Sequence, residues 1–130
     1  MRDIKTYDVF HFADQLVFRV NDLTREFPRE ELFGLSAQMR RAAASIPMNL
    51  AEGAARCGSR EFANFVNIAI GSVEEVRYQL HLAAGLKYVT EPQREELDRR
   101  YEQVKRMLSG LYAKLTGRKT VAAADSEDCI

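Results

Sequence analysis

Two histidines and the carboxylates near them are the residues in this sequence that could bind a metal ion. Helical di-iron sites place a Glu-x-x-His pair on each of two helices, so that four carboxylates and two imidazoles converge. Asp8 and His11 have the spacing of such a pair, but Tyr78 stands three positions before His81, where a carboxylate would be needed. The sequence therefore predicts no metal site and no cofactor.

A glycine-rich segment and two cysteines are the other residues that could support catalysis. The run from Gly53 to Ser59 has the spacing of a phosphate-binding loop. However, Arg60 follows the serine where a lysine should precede it, and a helical pattern leads into the segment instead of a strand. Cys57 and Cys129 are far apart in sequence and have no activating neighbour, so both are expected to be reduced thiols. No enzymatic activity is predicted.

Four arginines are the strongest candidates for contact with a ligand. Arg40 and Arg41 lie off the apolar face of one helical segment, and Arg56 and Arg60 flank the loop that follows it. Because guanidinium groups bind phosphate by charge and by paired hydrogen bonds, these residues are predicted to contact RNA or DNA. The alternative is that they form salt bridges with acidic residues of the protein itself.

Four helical segments must position these side chains, because apolar residues recur every three or four positions along most of the chain. The segments cover approximately residues 9–27, 32–50, 62–83 and 97–115, and no stretch has the alternation of a strand. The loops expected near residues 27–31, 53–59 and 87–90 are short, so consecutive helices are expected to be antiparallel. The predicted fold is an all-α, up-down-up-down four-helix bundle.

Local signals mark the ends of two segments. Ser59 is a natural N-cap for the third segment. Thr90 and Gln93 have the spacing of a capping box at the start of the fourth, and Gly117 can end that helix in a left-handed turn.

Pro47 is predicted to bend the second helix. It has no N–H group and its ring crowds the carbonyl of Ala43, which costs roughly 3 kcal/mol in a helix interior unless it is compensated. Ser45, Asn49 and Glu52 can supply local hydrogen bonds around this bend.

The third helix is expected to be interrupted at Gly71 and Ser72, and it carries more apolar surface than one bundle core requires. With 100° between successive residues, its apolar arc covers about half of the circumference. The residues that widen this arc are Phe65, Ile68, Leu82 and Leu86. The first helix also places three aromatic residues outside its seam, namely Phe10, Phe12 and Phe18. Since contiguous exposed apolar patches usually mark contacts, these residues are predicted as a group to form a subunit interface. The alternative for any single residue is partial burial under neighbouring side chains and loops.

Composition limits the classes of partner. Nineteen basic residues balance nineteen acidic residues in a chain of 130, so no strong overall charge attracts nucleic acid or a membrane. No apolar run approaches the ~20 residues of a membrane span, and the N-terminus has no signal-peptide pattern. The expectations are a cytoplasmic protein, one domain over residues 1–119, and a disordered acidic tail over residues 120–130.

Six short motifs together carry a resemblance to a known family. They are Phe27-Pro28, Phe33-Gly34-Leu35, Gln38-Met39-Arg40-Arg41-Ala42, Ser45-Ile46-Pro47, Asn49-Leu50-Ala51-Glu52-Gly53 and Gly71-Ser72-Val73-Glu74-Glu75. Over roughly residues 5–116 the chain resembles the 23S rRNA-intervening sequence protein family. It departs from the usual pattern at Val9-Phe10-His11, where a Trp followed by Gln is common, and in its acidic tail.

The resemblance implies a four-helix bundle that assembles into a homopentameric ring or barrel. It also implies a relation to the accessory proteins of diversity-generating retroelements, which bind nucleic acid and a reverse transcriptase, and it implies no established enzymatic activity. The first functional hypothesis is therefore a non-catalytic oligomeric scaffold that binds RNA, DNA or a nucleic-acid-processing protein through arginines repeated by symmetry. The second is a purely protein-interaction scaffold without nucleic-acid binding.

Overall fold

The computed structural model describes residues 2–117, which form four long helices. These are α1 (Asp8–Arg25), α2 (Leu35–Ala55), α3 (Ser59–Gly85) and α4 (Glu91–Thr116), with short 3-10 helices at Ile4–Thr6 and Arg29–Glu31. The described range contains no strand, so the prediction of an all-α four-helix bundle is confirmed. The expected acidic tail, and the domain boundary before it, lie outside the described residues.

Each helix packs against its neighbours in sequence, and α4 also touches α1, so that α1 and α3 lie at opposite corners of the bundle. On α3, Arg77 binds Asp98 of α4 at 2.8 Å, and Glu74 binds Lys105 at 2.5 Å. The higher-numbered residue of α3 thus pairs with the lower-numbered residue of α4, as in antiparallel helices. The α1–α4 pair packs least extensively, and a groove of about 440 Å³ remains between the start of α1 and the end of α4.

The core consists of the apolar residues that recur at the predicted spacing. On α3, for example, Phe62, Val66, Val73 and Leu80 are fully buried, and each such side chain contributes about 1.5–3 kcal/mol when removed from water. The second helical segment was predicted to begin at residue 32, but Leu32 is 47% exposed because it lies in the turn before α2 begins.

The predicted helix ends are partly confirmed. Thr90 and Gln93 form a complete capping box, and Gly117 ends α4 in the left-handed conformation with φ of 71°. The prediction for Ser59 is wrong, because Gly58 is the N-cap residue of α3 and the helix has no side-chain cap. Instead, the Ser59 hydroxyl accepts a hydrogen bond from the Arg2 guanidinium at 2.7 Å.

One loop starts later than expected, and one expected helix interruption is absent. The loop expected from Gly53 starts later, because α2 continues to Ala55. The break expected at Gly71 and Ser72 is wrong, since α3 runs through both residues without a positive φ at Gly71. Helix α2 also continues through Pro47, and its bend stays a prediction.

Candidate functional site

The four candidate arginines lie in different surroundings. Arg40 is half-buried between α1 and α2, where its Nε donates a hydrogen bond to the Thr24 hydroxyl at 2.8 Å. Arg41 is exposed and has no ion pair with any described residue. Arg40 therefore has a structural partner, whereas the Arg41 guanidinium is available to a ligand.

The other two arginines lie at the opposite end of α2. Arg56 binds the Glu52 carboxylate at 2.7 Å, and its guanidinium stacks over the Phe65 ring at 5.2 Å from the centroid. Arg60 is half-buried in the first turn of α3 and makes no ion pair within residues 2–117. Fifteen positions separate Arg41 from Arg56, which is about 22 Å along a helix. The structure therefore places two of the candidate arginines in the first half of α2 and the other two at the α2–α3 junction.

The motif residues at the α2–α3 contact have structural partners. The Ser45 and Ser72 hydroxyls form a hydrogen bond of 2.6 Å, and the Asn49 amide donates to the Ser45 carbonyl at 2.8 Å. Gly53 allows a close approach of the two helices, because a Cβ atom there would lie 2.7 Å from the Phe65 Cβ. These residues hold α2 against α3.

Exposed apolar side chains form a surface on the outside of α2 and α3. We define this α2–α3 surface by its exposed residues, which are Met48, Ile68, Tyr78, Leu82 and Leu86. Met48 lies three positions after Ser45, and Ile68 lies four positions before Ser72. Because Ser45 contacts Ser72, Met48 and Ile68 lie at about the same height along the bundle. The predicted interface residues Ile68, Leu82 and Leu86 belong to this surface. Phe65 does not, since it is half-buried and covered by Arg56.

Two smaller groups of apolar side chains are also exposed. On α1, Phe12 and Phe18 point outward, and Phe18 is 64% exposed, whereas Phe10 is half-buried. In the turn before α2, Phe33 is 91% exposed beside Leu32. Phe33, Met48 and Tyr78 were not singled out as exposed by the sequence reasoning, although Met48 could have been found from its position outside the α2 seam.

Glu31 has a structural role that was not predicted from the sequence. Its carboxylate accepts hydrogen bonds from the Leu35 N–H at 3.0 Å and from the Tyr88 hydroxyl at 2.8 Å. These two donors lower the pKa of Glu31. The carboxylate thus fixes the start of α2 and joins the α1–α2 loop to the α3–α4 loop, a contact between residues 57 positions apart that local spacing does not reveal.

Tyr101 and Glu96 have shifted pKa values for different physical reasons. Tyr101 is fully buried, and loss of water around its hydroxyl raises its pKa. Hydrogen bonds from Arg19 and Arg100 lower the pKa of Glu96. In the same range, no group of three or more histidine, cysteine or acidic side chains is arranged to hold a metal ion. Cys57 takes part in a disulfide bond, so the expectation of a reduced thiol there is wrong, and Cys129 lies outside the described residues.

The helical architecture and the motif positions agree with one family of proteins. A family model described as 23S rRNA-intervening sequence protein matches residues 5–110. The chain belongs to this family. Among solved structures, it is similar to a protein with unknown function from the S23 ribosomal protein family of Bacteroides thetaiotaomicron, with 24% identity and a TM-score of 0.75. That match covers 80% of this chain and 97% of the other. No curated protein matches the chain.

Membership of the 23S rRNA-intervening sequence protein family confirms the resemblance drawn from the six motifs, all of which lie within residues 5–110. The likeness to the Bacteroides structure supports the fold, and the function of that protein is itself described as unknown. Among residues 2–117, no helix is both long enough and apolar enough to cross a membrane. The roles of the arginines and of the α2–α3 surface stay predictions.

Proposed function

We propose that this protein is a non-catalytic scaffold that associates with further copies of itself through the α2–α3 surface. The observation that carries this proposal is the stripe on the outside of α3 formed by exposed Ile68, Leu82 and Leu86, with the exposed carboxylate of Glu75 between Ile68 and Leu82. Their spacing of fourteen and four positions places them on one side of the helix. Ile68 and Leu86 are 52% and 51% exposed, and burial of the exposed half of each would contribute roughly 1 kcal/mol.

The number of copies follows from the family resemblance, which implies a homopentamer. Specific interfaces bury about 800 Å² on each partner, so the stripe on α3 would form only the centre of the contact. Met48 and Tyr78 extend the same surface on either side of the stripe and provide further apolar area. The chemistry of this surface therefore fits contact with another protein chain better than contact with a small polar ligand.

Multi-angle light scattering on purified protein tests the proposal. We expect wild type at micromolar concentration to have the mass of an oligomer, and an Ile68→Glu variant to have the mass of one chain, 14.8 kDa. A Gln103→Glu variant on the exposed face of α4 is the matched control and should keep the wild-type mass. A monomeric wild type, or an Ile68→Glu variant with unchanged mass, would contradict self-association through this surface.

Nucleic-acid binding is the second candidate function, and it is supported by Arg41 and Arg60. Both guanidinium groups lack an ion pair within residues 2–117, so they can bind phosphate without breaking an internal contact. Arg40 and Arg56 support it less, because they already bind Thr24 and Glu52. Repetition of weak sites by assembly would raise the avidity for a long RNA or DNA.

A further inference from the structure

Cys57 forms a disulfide bond whose partner is not among residues 2–117. The Cys57 side chain is exposed in the α2–α3 junction, residues 56–60, directly before Gly58, the N-cap residue of α3. The sequence contains two cysteines, and the other is Cys129. A disulfide within one chain can therefore join Cys57 only to Cys129.

The end of α4 lies at the same end of the bundle as Cys57. Arg77 of α3 binds Asp98 of α4, and the two helices form an antiparallel pair. Ser59 lies eighteen positions before Arg77, and Thr116 lies eighteen positions after Asp98. The start of α3, next to Cys57, and the end of α4 are therefore at about the same height along the bundle.

The chain that follows α4 is long enough to return to this junction. Axes of packed helices are about 8–10 Å apart, so the last residue of the described range, Gly117, lies close to the start of α3. Twelve positions separate Gly117 from Cys129, and an extended chain of that length spans roughly 40 Å. Cys129 can therefore reach Cys57 without displacing a helix.

Three carboxylates lie close to the second cysteine in sequence. They belong to Asp125, Glu127 and Asp128. The last two directly precede Cys129, whereas Arg56 and Arg60 lie one and three positions from Cys57. Because a disulfide holds its two Cα atoms about 6 Å apart, a bond between the cysteines brings two carboxylates beside two guanidinium groups.

The surroundings of the α2–α3 junction carry both charges, so the disulfide, and not the net charge, places the acidic segment there. The described charged residues around it are Arg2, Asp3, Glu52, Arg56, Arg60 and Glu61. Glu52 already binds Arg56 at 2.7 Å, and Arg2 donates to the Ser59 hydroxyl. Arg60 has no ion pair within residues 2–117. Its guanidinium can therefore bind a further carboxylate without breaking an ion pair.

We propose that Cys57 and Cys129 of one chain form the disulfide, and that this bond holds the acidic segment over the α2–α3 junction. There, the carboxylates of Glu127 and Asp128 bind the Arg60 guanidinium. Reduction of the bond releases the segment and exposes Arg60. The consequence for function rests on the nucleic-acid candidate proposed above: the carboxylates take the place of a phosphate in the oxidised protein, and that place is open in the reduced protein.

The oxidant that this step requires is a low-molecular-weight disulfide such as glutathione disulfide. The Cys57 thiolate attacks one sulfur of the oxidant and releases its first thiol, which leaves a mixed disulfide on Cys57. The Cys129 thiolate then attacks the Cys57 sulfur and releases the second thiol. The two cysteine thiols lose two electrons and two protons, and the oxidant gains both as it becomes two thiols. A dithiol reductant reverses the reaction.

Peptide mapping of protein oxidised with glutathione disulfide tests the pairing. Trypsin cleaves after lysine and arginine, so it releases Cys57 in residues 57–60 and Cys129 in residues 120–130. We expect the non-reduced digest to contain these two peptides joined, and the denatured, non-reduced protein to have the mass of one chain, 14.8 kDa. Two unlinked peptides, two joined copies of the same peptide, or a disulfide-linked mass of two chains would overturn the proposal.

Chemical labelling of arginine tests the cover without any nucleic acid. Phenylglyoxal reacts with accessible guanidinium groups, so Arg60 should react several-fold more slowly in oxidised than in reduced wild type. Arg41, which is exposed in the first half of α2, is the internal control and should react equally in both states. In the variant Cys129→Ser, Arg60 should react at the reduced wild-type rate under both conditions. Equal reactivity of Arg60 in oxidised and reduced wild type would show that the segment does not cover it.

Fluorescence anisotropy with single-stranded RNA measures the consequence for binding. Oxidised wild type should bind roughly tenfold more weakly than reduced wild type, because a tethered competitor acts at a millimolar effective concentration. Cys129→Ser should bind like reduced wild type in both states. If reduced wild type binds no RNA while Arg60 labelling still falls on oxidation, the nucleic-acid candidate fails and the contact of the acidic segment stands. Binding of equal strength in the two states of wild type would refute competition at this site.

Discussion

At Gly53, α2 passes so close to α3 that no side chain fits. A Cβ atom would lie 2.7 Å from the Phe65 Cβ and 2.9 Å from the Phe62 ring. We expect Gly53→Ala to lower the free energy of unfolding by about 1–3 kcal/mol, because overpacking outweighs the better helix propensity of alanine. Urea denaturation measures this change. Gly110→Ala, with open space around the new methyl group, should instead raise the free energy of unfolding by about 1 kcal/mol. Stabilisation by Gly53→Ala would contradict the close approach.

Glu31 makes the stability of the fold depend on pH. The Leu35 N–H and the Tyr88 hydroxyl lower its pKa in the folded state, so its contribution is present above the unfolded pKa of about 4.3 and is lost as the pH falls through the folded pKa. Glu31→Gln should therefore destabilise the protein at pH 7 and have a smaller effect at pH 3, as measured by urea denaturation at each pH. The control is Glu30→Gln, an exposed neighbour. An equal effect of Glu31→Gln at both pH values would count against these hydrogen bonds.

The arginine prediction can be tested without disturbing the bundle. Arg41→Glu and Arg60→Glu, combined in one variant, should weaken binding of single-stranded RNA in fluorescence anisotropy. For wild type, binding should weaken steeply as salt rises and discriminate little among sequences, because phosphate contacts release counterions without reading bases. Arg106→Glu on α4 is the control, and all proteins must have the same oligomeric mass. Equal affinities, or no wild-type binding at low salt, would favour the protein-interaction scaffold.

At the scale of the helices, Pro47 is the residue whose effect is most open to measurement. It is buried within α2 and cannot donate to the Ala43 carbonyl. We expect α2 to bend here, and Pro47→Ala to preserve the fold while redirecting the end of α2 that carries Asn49 and Glu52. Crystal structures of wild type and variant measure the helix axis before and after residue 47. A straight axis over residues 43–50 of wild type would contradict the prediction.

Some features of the helices are determined by the local sequence, and others depend on residues that are distant in the sequence. The Thr90–Gln93 capping box was predictable because both partners lie within four residues of each other. Ser59 was assigned wrongly because its hydroxyl binds Arg2, a residue 57 positions away. Gly53 and Gly71 were both read as helix breaks, yet one is required by a neighbouring helix and the other has open space. The spacing of residues cannot distinguish these cases, because the distance to another helix decides them.

At the scale of the whole molecule, apolar periodicity was sufficient for the fold, whereas the candidate site depended on side-chain partners. The seam residues of all four helices recur at fixed spacing, so the bundle followed from the sequence. The partners of the arginines did not follow from the sequence, because the Thr24 hydroxyl approaches Arg40 and the Phe65 ring approaches Arg56 only after folding. The exposed stripe on α3 was predictable for Ile68, Leu82 and Leu86 because these residues exceed what one seam can bury.

Assembly is the prediction that belongs to this scale. If the family resemblance extends to quaternary structure, light scattering should report about five chains per particle, which is a closed ring of identical copies. Because the α2–α3 surface is apolar, moderate salt should leave this mass unchanged, as charge screening affects ion pairs and not apolar burial. A particle of two chains would instead indicate a surface that pairs with itself.

The loose packing between α1 and α4 has a consequence for how the molecule moves. Less surface joins these two helices than any other adjacent pair, and the groove of about 440 Å³ at their ends leaves Met107 and Leu111 in reach of solvent. Separation of α1 from α4 therefore costs less free energy than separation of α2 from α3. We therefore expect local opening of the bundle to begin between α1 and α4, while α2 and α3 stay packed together.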